Sequence, residues 1–136
     1  MTKAKKQSYI YVSGRRKCAA ARVRLFKGTG ETEVNGKPIA EYFPGEVSKA
    51  IWSKPFEITG SWGKYYATIR VIGGGKHGQV EAVTHGLAKA FALLNKDDLR
   101  APLKKAGLLA RDSRIRQRRM VGTGGKARRK KQSPKR

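Results

Sequence analysis

Acidic residues are scarce in this chain: 9 Asp and Glu stand against 32 Lys and Arg in 136 residues, a formal net charge of +23. Like charges repel one another in a compact state, so an excess of this size calls for a polyanion, which an acidic small-molecule substrate would not supply. Cysteine is almost absent. The single Cys18 cannot close an internal disulfide, which excludes a disulfide-stapled scaffold and points to a reducing compartment, with Cys18 a small buried or half-buried residue. Long apolar runs are missing as well. None approaches the roughly 18–20 residues of a membrane span, and Tyr9 to Val12 is too short for the apolar region of a signal peptide. That stretch reads as a strand and lacks the Ser/Arg-rich amphipathic pattern of a transit peptide, so Met1 reads as the mature start or close to it.

Catalytic constellations are lacking too. Glu31, Glu33, Glu41, Glu46 and Glu57 are scattered over turn or surface positions, and no pair stands out for acid–base work. His77 and His85 lie eight residues apart without Cys or carboxylate companions at metal-ligand spacing. They read as loop or helix-surface histidines. Ser13, Ser113 and Ser133 have no local base. No catalytic residue, metal site or cofactor is expected.

What is present is charge, and it is unevenly placed. Residues 1–27 hold 9 basic and no acidic residues, 28–110 hold 11 and 8, and 111–136 hold 12 and 1, giving net charges of +9, +3 and +11. The middle has the balance of an ordinary folded domain. The stretch from Val121 to Arg136 has no aromatic residue and only Val121 and Ala127 as apolar ones, so by itself it cannot bury enough surface to offset its ordering entropy. Extended, sixteen such residues would reach about 50 Å. The expected division is a basic N-terminal arm at 1–8, a globular body at 9–110 and a basic C-terminal tail at 111–136, extended or disordered without RNA.

The body reads as α+β. Tyr9 to Ser13 and Ala20 to Phe26 are predicted strands. In the second, Ala21, Val23 and Leu25 share a core face while Arg22 and Arg24 share the other, a cationic strip. Gly14-Arg15-Arg16-Lys17 reads as a basic turn between them, and Asn35-Gly36 as a second turn before a short helix at Ile39 to Phe43. Trp52, Phe56 and Ile58 are expected in the core. Lys64 to Ile72 is the clearest strand and is expected to be central. Val80, Val83, Leu87, Ala90, Phe91 and Leu94 recur at helical spacing and mark the main amphipathic helix. A further helix is predicted from Asp97 to about Lys105, stopped by Gly107, and another from Asp112 to Met120.

Gly73-x-Gly75-x-x-Gly78 matches a dinucleotide-binding fingerprint between a strand and a helix. Against that reading, Asp97 and Asp98 lie at a helix–helix junction instead of ending a second parallel strand, and the chain is too short for an added substrate domain. Nor does Lys76 lie in a Gly-Lys-Ser/Thr ending. The glycines read as a tight strand-to-helix loop, or as a loop whose amides and Lys76 face an RNA phosphate.

Phosphate chemistry remains. Arg15, Arg16, Lys17, Arg22, Arg24, Arg111, Arg114, Arg116, Arg118 and Arg119 form a nearly continuous cationic set, followed by Lys126, Arg128, Arg129, Lys130 and Lys131 in the tail. The guanidinium fork suits phosphate, and such contacts read backbone, not base identity.

The same residues carry a family resemblance. Gly14-Arg15-Arg16-Lys17 with Ala21-Arg22-Val23, then Lys37-Pro38-Ile39-x-x-Tyr42-Phe43, Gly73-Gly74-Gly75-x-x-Gly78-Gln79 with His85-Gly86, Lys105-Ala106-Gly107, Arg111-Asp112-x-Arg114 and a terminal Lys135-Arg136 occur in order. Together they resemble the small-subunit ribosomal protein S-nine family, bacterial type, over nearly the whole chain from about Tyr9. The resemblance implies a four-stranded sheet with helices on one side, similar to the second domain of ribosomal protein S-five. It further implies binding to rRNA of the small-subunit head, in the three-prime major domain, beside neighbouring head proteins. It implies a tail that reaches the anticodon loop of peptidyl-site tRNA, with Lys135 and Arg136 on its phosphates. The location implied is a cytoplasmic ribosome of bacterial type, or an organelle ribosome, with no membrane partner. The chain departs from the family pattern at Gln117, at Met120, in the link Gly122-Thr123-Gly124-Gly125 and at Ser133-Pro134, which leaves the register of the tail against tRNA open. Two other readings compete: a nucleoid-type protein coating DNA through the same charges, and a nucleotide-dependent enzyme built on Gly73 to Gly78.

Overall fold

The computed structural model of the chain describes residues 8–122. Two long strands, β1 (Tyr9–Arg16) and β2 (Ala19–Lys27), form an antiparallel hairpin; β3 (Glu33–Val34) and β4 (Lys37–Pro38) form a much smaller one. Three short helices follow, α1 (Ile39–Tyr42), α2 (Glu46–Trp52) and α3 (Lys54–Thr59), then β5 (Tyr65–Ile72), the long α4 (Lys76–Leu94) and α5 (Arg100–Lys105). The sheet has five strands in the order β1-β2-β5-β3-β4, with β5 central and parallel only to β3.

The fold is therefore α+β with a five-stranded sheet, not the four strands expected. The strands of the β3–β4 hairpin have no signal in the sequence because two-residue strands are too short to show alternation. Asn35 and Gly36 both take positive φ, 52° and 80°, the pattern of a two-residue hairpin turn. Asn35 then extends the ladder with its side chain: its Nδ2 donates to the Val71 carbonyl at 3.0 Å, and the Val71 amide donates to its Oδ1 at 2.9 Å.

Alternation sorts β2 and β5 as their sequences predict. Ala21, Val23 and Leu25, with Ala67, Ile69 and Val71, are buried under α4, while Arg22, Arg24, Thr68 and Arg70 are exposed on the opposite face. From α4, Val80, Val83, Leu87, Ala90 and Phe91 turn inward, and α2, α3 and α5 pack against the same helix. Phe56 of α3 meets Phe91 edge to face at 5.3 Å, and Leu103 of α5 closes the cluster. Trp52 and Phe56 are core residues as expected. Ile58 is not: it is 36% exposed, because two positions beyond Phe56 lies on roughly the opposite side of a helix turning every 3.6 residues.

Four other expectations change. Gly14, Arg15 and Arg16 belong to β1, and the turn falls at Lys17 and Cys18. Lys17 takes a φ of 52°, and Cys18 is exposed. Helix α5 starts at Arg100, not Asp97, because the Asn95 side chain accepts the Asp97 and Asp98 amides at 3.2 and 3.3 Å and holds them in a turn. The chain from Asp112 to Met120 has no regular structure. There Asp112 accepts the Arg114 amide at 3.0 Å, a local bond that competes with helix, and Arg114 and Arg118 would repel at i,i+4 spacing.

Gly14 is where β1 meets α4 most closely. A Cβ there would overlap the Ala82 carbonyl oxygen and the Gly86 amide nitrogen, and a Cβ on Gly86 would stand 2.7 Å from Val23 Cγ2. Gly14→Ala is expected to cost about 2–3 kcal/mol, in the overpacking range, whereas Gly75→Ser is expected to be neutral or slightly stabilising. Gly75 opens α4 with φ −95° and nothing within 4 Å of an added Cβ, and serine is a good N-cap. Thermal melts of the two variants check this contrast, and equal melting temperatures would contradict it.

Candidate nucleic-acid interface

Strand parity decides which basic residues of the hairpin are free. Odd positions of β1 and even positions of β2 face away from α4, so Arg15, Arg22 and Arg24 are exposed on the uncovered side, with Lys17 at the hairpin tip. Arg70 of β5 joins them as the Cα partner of Arg22. None of these five has an ion-pair partner among the described residues. Arg24 lies over the Tyr9 ring with its guanidinium carbon 5.4 Å from the ring centre.

Arg16 takes the other parity and a different task. Its side chain, 12% exposed, points to the α4 side: Nε donates to Glu81 Oε2 at 2.6 Å, Nη2 stands 3.4 Å from Asp112 Oδ2, and Nη1 donates to the Arg114 carbonyl at 2.6 Å. One guanidinium thus joins strand β1, helix α4 and the segment after α5. Asp112 is shared with Arg114, whose Nη2 reaches Oδ2 at 2.8 Å. Hydrogen bonds from the Arg114 side chain and then its amide, with the Arg16 charge as a smaller cause, hold the Asp112 carboxyl well below the usual carboxylate range. Arg16 therefore reads as the residue that sets where the basic C-terminal segment leaves the body. Glu81 was not legible as its partner because it looks like any polar position of an amphipathic helix.

Beside this clamp, His85 is half-buried between β1 and the same departing segment. Its Nδ1 accepts the Arg15 amide at 3.4 Å, and its Nε2 lies 3.4 Å from the Leu109 carbonyl. Burial lowers its pKa, the Leu109 carbonyl opposes this, and the charges of Lys89 and Arg111 lower it further. It is thus more enclosed than a surface histidine.

The glycine loop serves packing. Gly73 and Gly74 take φ of 76° and 64°, and a Cβ on Gly73 would stand 2.5 Å from the Cys18 carbonyl oxygen. They let the end of β5 pass against the β1–β2 hairpin. Helix α4 leads to α5 and not to a second parallel strand, so the unit a dinucleotide fingerprint requires is not formed by the described residues. Lys76 is exposed, but its ammonium stands 3.4 Å from the Tyr42 ring centre and donates to the Tyr42 carbonyl at 3.3 Å. That cation–π contact turns it toward α1.

Beyond the clamp, Arg111, Arg116, Arg118 and Arg119 are exposed without an ion-pair partner among the described residues, and Arg114 remains largely exposed despite holding Asp112. Lys126, Arg128, Arg129, Lys130, Lys131, Lys135 and Arg136 lie outside the described residues, as does nearly all of the expected arm at 1–8. Among the described residues no cluster of His, Cys, Asp and Glu could hold a metal ion, and no helix is long and apolar enough to cross a membrane.

Breaking the clamp should free the segment without unfolding the body. Arg16→Gln or Asp112→Asn is expected to raise amide exchange at residues 112–116 several-fold with little change in Tm, as measured by hydrogen exchange with mass spectrometry. Because the Asp112 pKa is depressed in the folded state, its contribution is present above the ordinary carboxylate value of about 3.9 and is lost only as pH falls through its lower folded value. Protection at 112–116 should therefore persist at about pH 4. His85 has the opposite charge type. Its pKa is lowered, so the unfolded chain takes up the proton first, and stability is full above about pH 6.5 and falls as pH drops below it. His85→Gln should flatten the change in Tm between about pH 7 and 5.

Comparison with known proteins places this geometry. The sequence profile of the family described as Ribosomal protein S9/S16 matches residues 14–136. A protein of Maridesulfovibrio salexigens named small ribosomal subunit protein uS9 is 43% identical over 119 residues, covering 88% of this chain and 91% of the relative. One of the same name from Solidesulfovibrio magneticus is 45% identical over 117 residues, covering 86% and 89%. Another, from Bifidobacterium animalis subsp. lactis, is 44% identical over 126 residues, covering 93% and 77%. The matched residues include the exposed arginines of the hairpin and the clamp that launches the basic segment, and the chain belongs to the ribosomal protein S9/S16 family.

Proposed function

We propose that this protein is a non-enzymatic structural constituent of the small ribosomal subunit, one that binds rRNA of the subunit head, in the three-prime major domain, through phosphate contacts. The observation that carries this reading is the set of exposed guanidinium groups with no ion-pair partner among the described residues: Arg15, Arg22, Arg24 and Arg70 on the sheet side, and Arg111, Arg116, Arg118 and Arg119 on the departing segment. Lys17 adds to the first group, and Lys126, Arg128, Arg129, Lys130 and Lys131 continue the second. Arg16 and Lys76, also expected on rRNA, make contacts within the protein as well, Arg16 with Glu81 and Asp112 and Lys76 with Tyr42.

The charge pattern divides the chain into a short basic arm, a body and a basic tail from residue 111, and the family resemblance implies for the body a fold like the second domain of ribosomal protein S-five. The tail extends toward the peptidyl site, where Lys135 and Arg136 approach the phosphates of the tRNA anticodon loop. Phosphate contact suits that place, since every tRNA passes through it and a base-specific contact would favour some codons. The neighbours are other head proteins of a cytoplasmic, bacterial-type ribosome. A DNA-coating role finds no support, since the relatives all bear ribosomal names.

Two measurements test the proposal. Neutralising six to ten phosphates should make the affinity for small-subunit rRNA fall about 10³- to 10⁵-fold between 50 and 200 mM salt, and a flat salt response would count against phosphate contacts. Removing residues 134–136 should weaken peptidyl-site tRNA binding several-fold while subunits still assemble. Unchanged tRNA affinity in such subunits would remove the tail's role.

A further inference from the structure

The uncovered sheet face carries more than charge. Register sets its side chains in rows across β1, β2 and β5. Tyr9, Phe26 and Tyr66 form the first row, with Tyr9 and Phe26 tilted at 5.5 Å and Phe26 and Tyr66 stacked at 5.2 Å. Tyr11, Arg24 and Thr68 form the second, and Ser13, Arg22 and Arg70 the third. Glu33, beside Thr68, is the one acid in these rows.

Two features of this face are not accounted for by the packing of the described residues. Arg22 and Arg70 are direct cross-strand partners, an arrangement that destabilises a strand pair unless a counter-charge bridges it. Tyr11 is 53% exposed and, unlike the other three rings, has no ring partner among the described residues. Both line one shallow concavity of about 890 Å³, with Arg24 between them.

We infer that this sheet face binds an unpaired RNA nucleotide, its base stacked on the Tyr11 ring and an adjoining phosphate held between Arg22 and Arg70. This rests on the rRNA-binding reading above and adds the state of the strand that is recognised. Tyr11 and Arg22 are diagonal neighbours across the β1–β2 ladder, about 7–8 Å apart. One nucleotide offers both a ring face and an anion at that scale. An acidic side chain of a protein would satisfy the arginines and leave Tyr11 unmatched. A base inside a helix has its faces covered by its neighbours, so only a looped or bulged base can use the ring.

The test uses the full chain and two hairpin RNAs, one with a single bulged 2-aminopurine and one with that position paired, at about 0.2 M salt, where unspecific phosphate binding is weakened. The bulged RNA should bind about five- to a hundredfold tighter, the stacking range for one base, with quenching of its fluorescence. Tyr11→Leu should abolish that preference and leave affinity for the paired RNA unchanged. Tyr11→Phe should keep the preference, and Arg70→Gln should weaken binding of the bulged RNA. The position is on the exposed face, and unchanged melts would show that the variants are folded. Equal affinity for the two RNAs, or a preference that survives Tyr11→Leu, overturns the inference; steep salt dependence toward both would still leave the phosphate reading standing. Binding insensitive to salt defeats that broader reading. Should Tyr11→Leu reduce incorporation into subunits while its RNA behaviour matches the wild type, the face belongs to a neighbouring protein and the inference is overturned.

Discussion

The close contact between the Gly14 backbone and the Gly86 turn of α4 fixes the rest of this structure. No side chain intervenes there, so helix and hairpin approach to backbone distance and every other position of the hairpin is assigned by parity. Val12, Gly14 and Arg16 face the helix; Tyr11, Ser13 and Arg15 face away. The cationic face is thus a consequence of how α4 docks. A side chain at Gly14 would lift the helix from the strands and loosen the core formed by Val23, Val83 and Leu87.

That docking also explains how a chain with so few acids remains folded. The acids near the hairpin are used where they hold parts together: Glu81 and Asp112 meet Arg16, and Asp112 also meets Arg114. The other arginines of β1, β2 and β5 have no such partner among the described residues. Internal ion pairs therefore lie on the helix side of the sheet, and the strand arginines without such partners among the described residues lie on the other. The basic C-terminal segment starts from the side where the acids are, directed by the Arg16 clamp.

Much of this was legible in the sequence, and the failures share a physical cause. Alternation in Ala21 to Leu25 and in Tyr65 to Ile72, and helical spacing from Val80 to Phe91, are local periodic signals that burial reinforces. They located the central strand, the main helix and the exposed pair Arg22 and Arg24. What failed depends on contacts distant in sequence. The strands beside Asn35-Gly36 are too short to alternate, Gly14 looks like a turn residue until Gly86 stands against it, and the segment after Asp112 is held by bonds to Arg16 and Arg114 in place of a helix. Arg16 reads in the sequence like its basic neighbours, and its pairing with Glu81 and Asp112 has no local signal. Extending the alternation of Val12 and Gly14 by one more step would have placed it on the helix side. Tyr11 and Arg70 carry no local signal as site residues, since only the register of three strands brings them to one surface.

The most direct measurement is the slope of log affinity against log salt for small-subunit rRNA, compared between Arg22→Gln and Arg16→Gln. If the two faces divide their work as described, Arg22→Gln lowers the slope by about one phosphate's worth, whereas Arg16→Gln, whose charge is met by Glu81 and Asp112, leaves it unchanged. Equal losses from both variants, or a slope untouched by Arg22→Gln, would contradict the account.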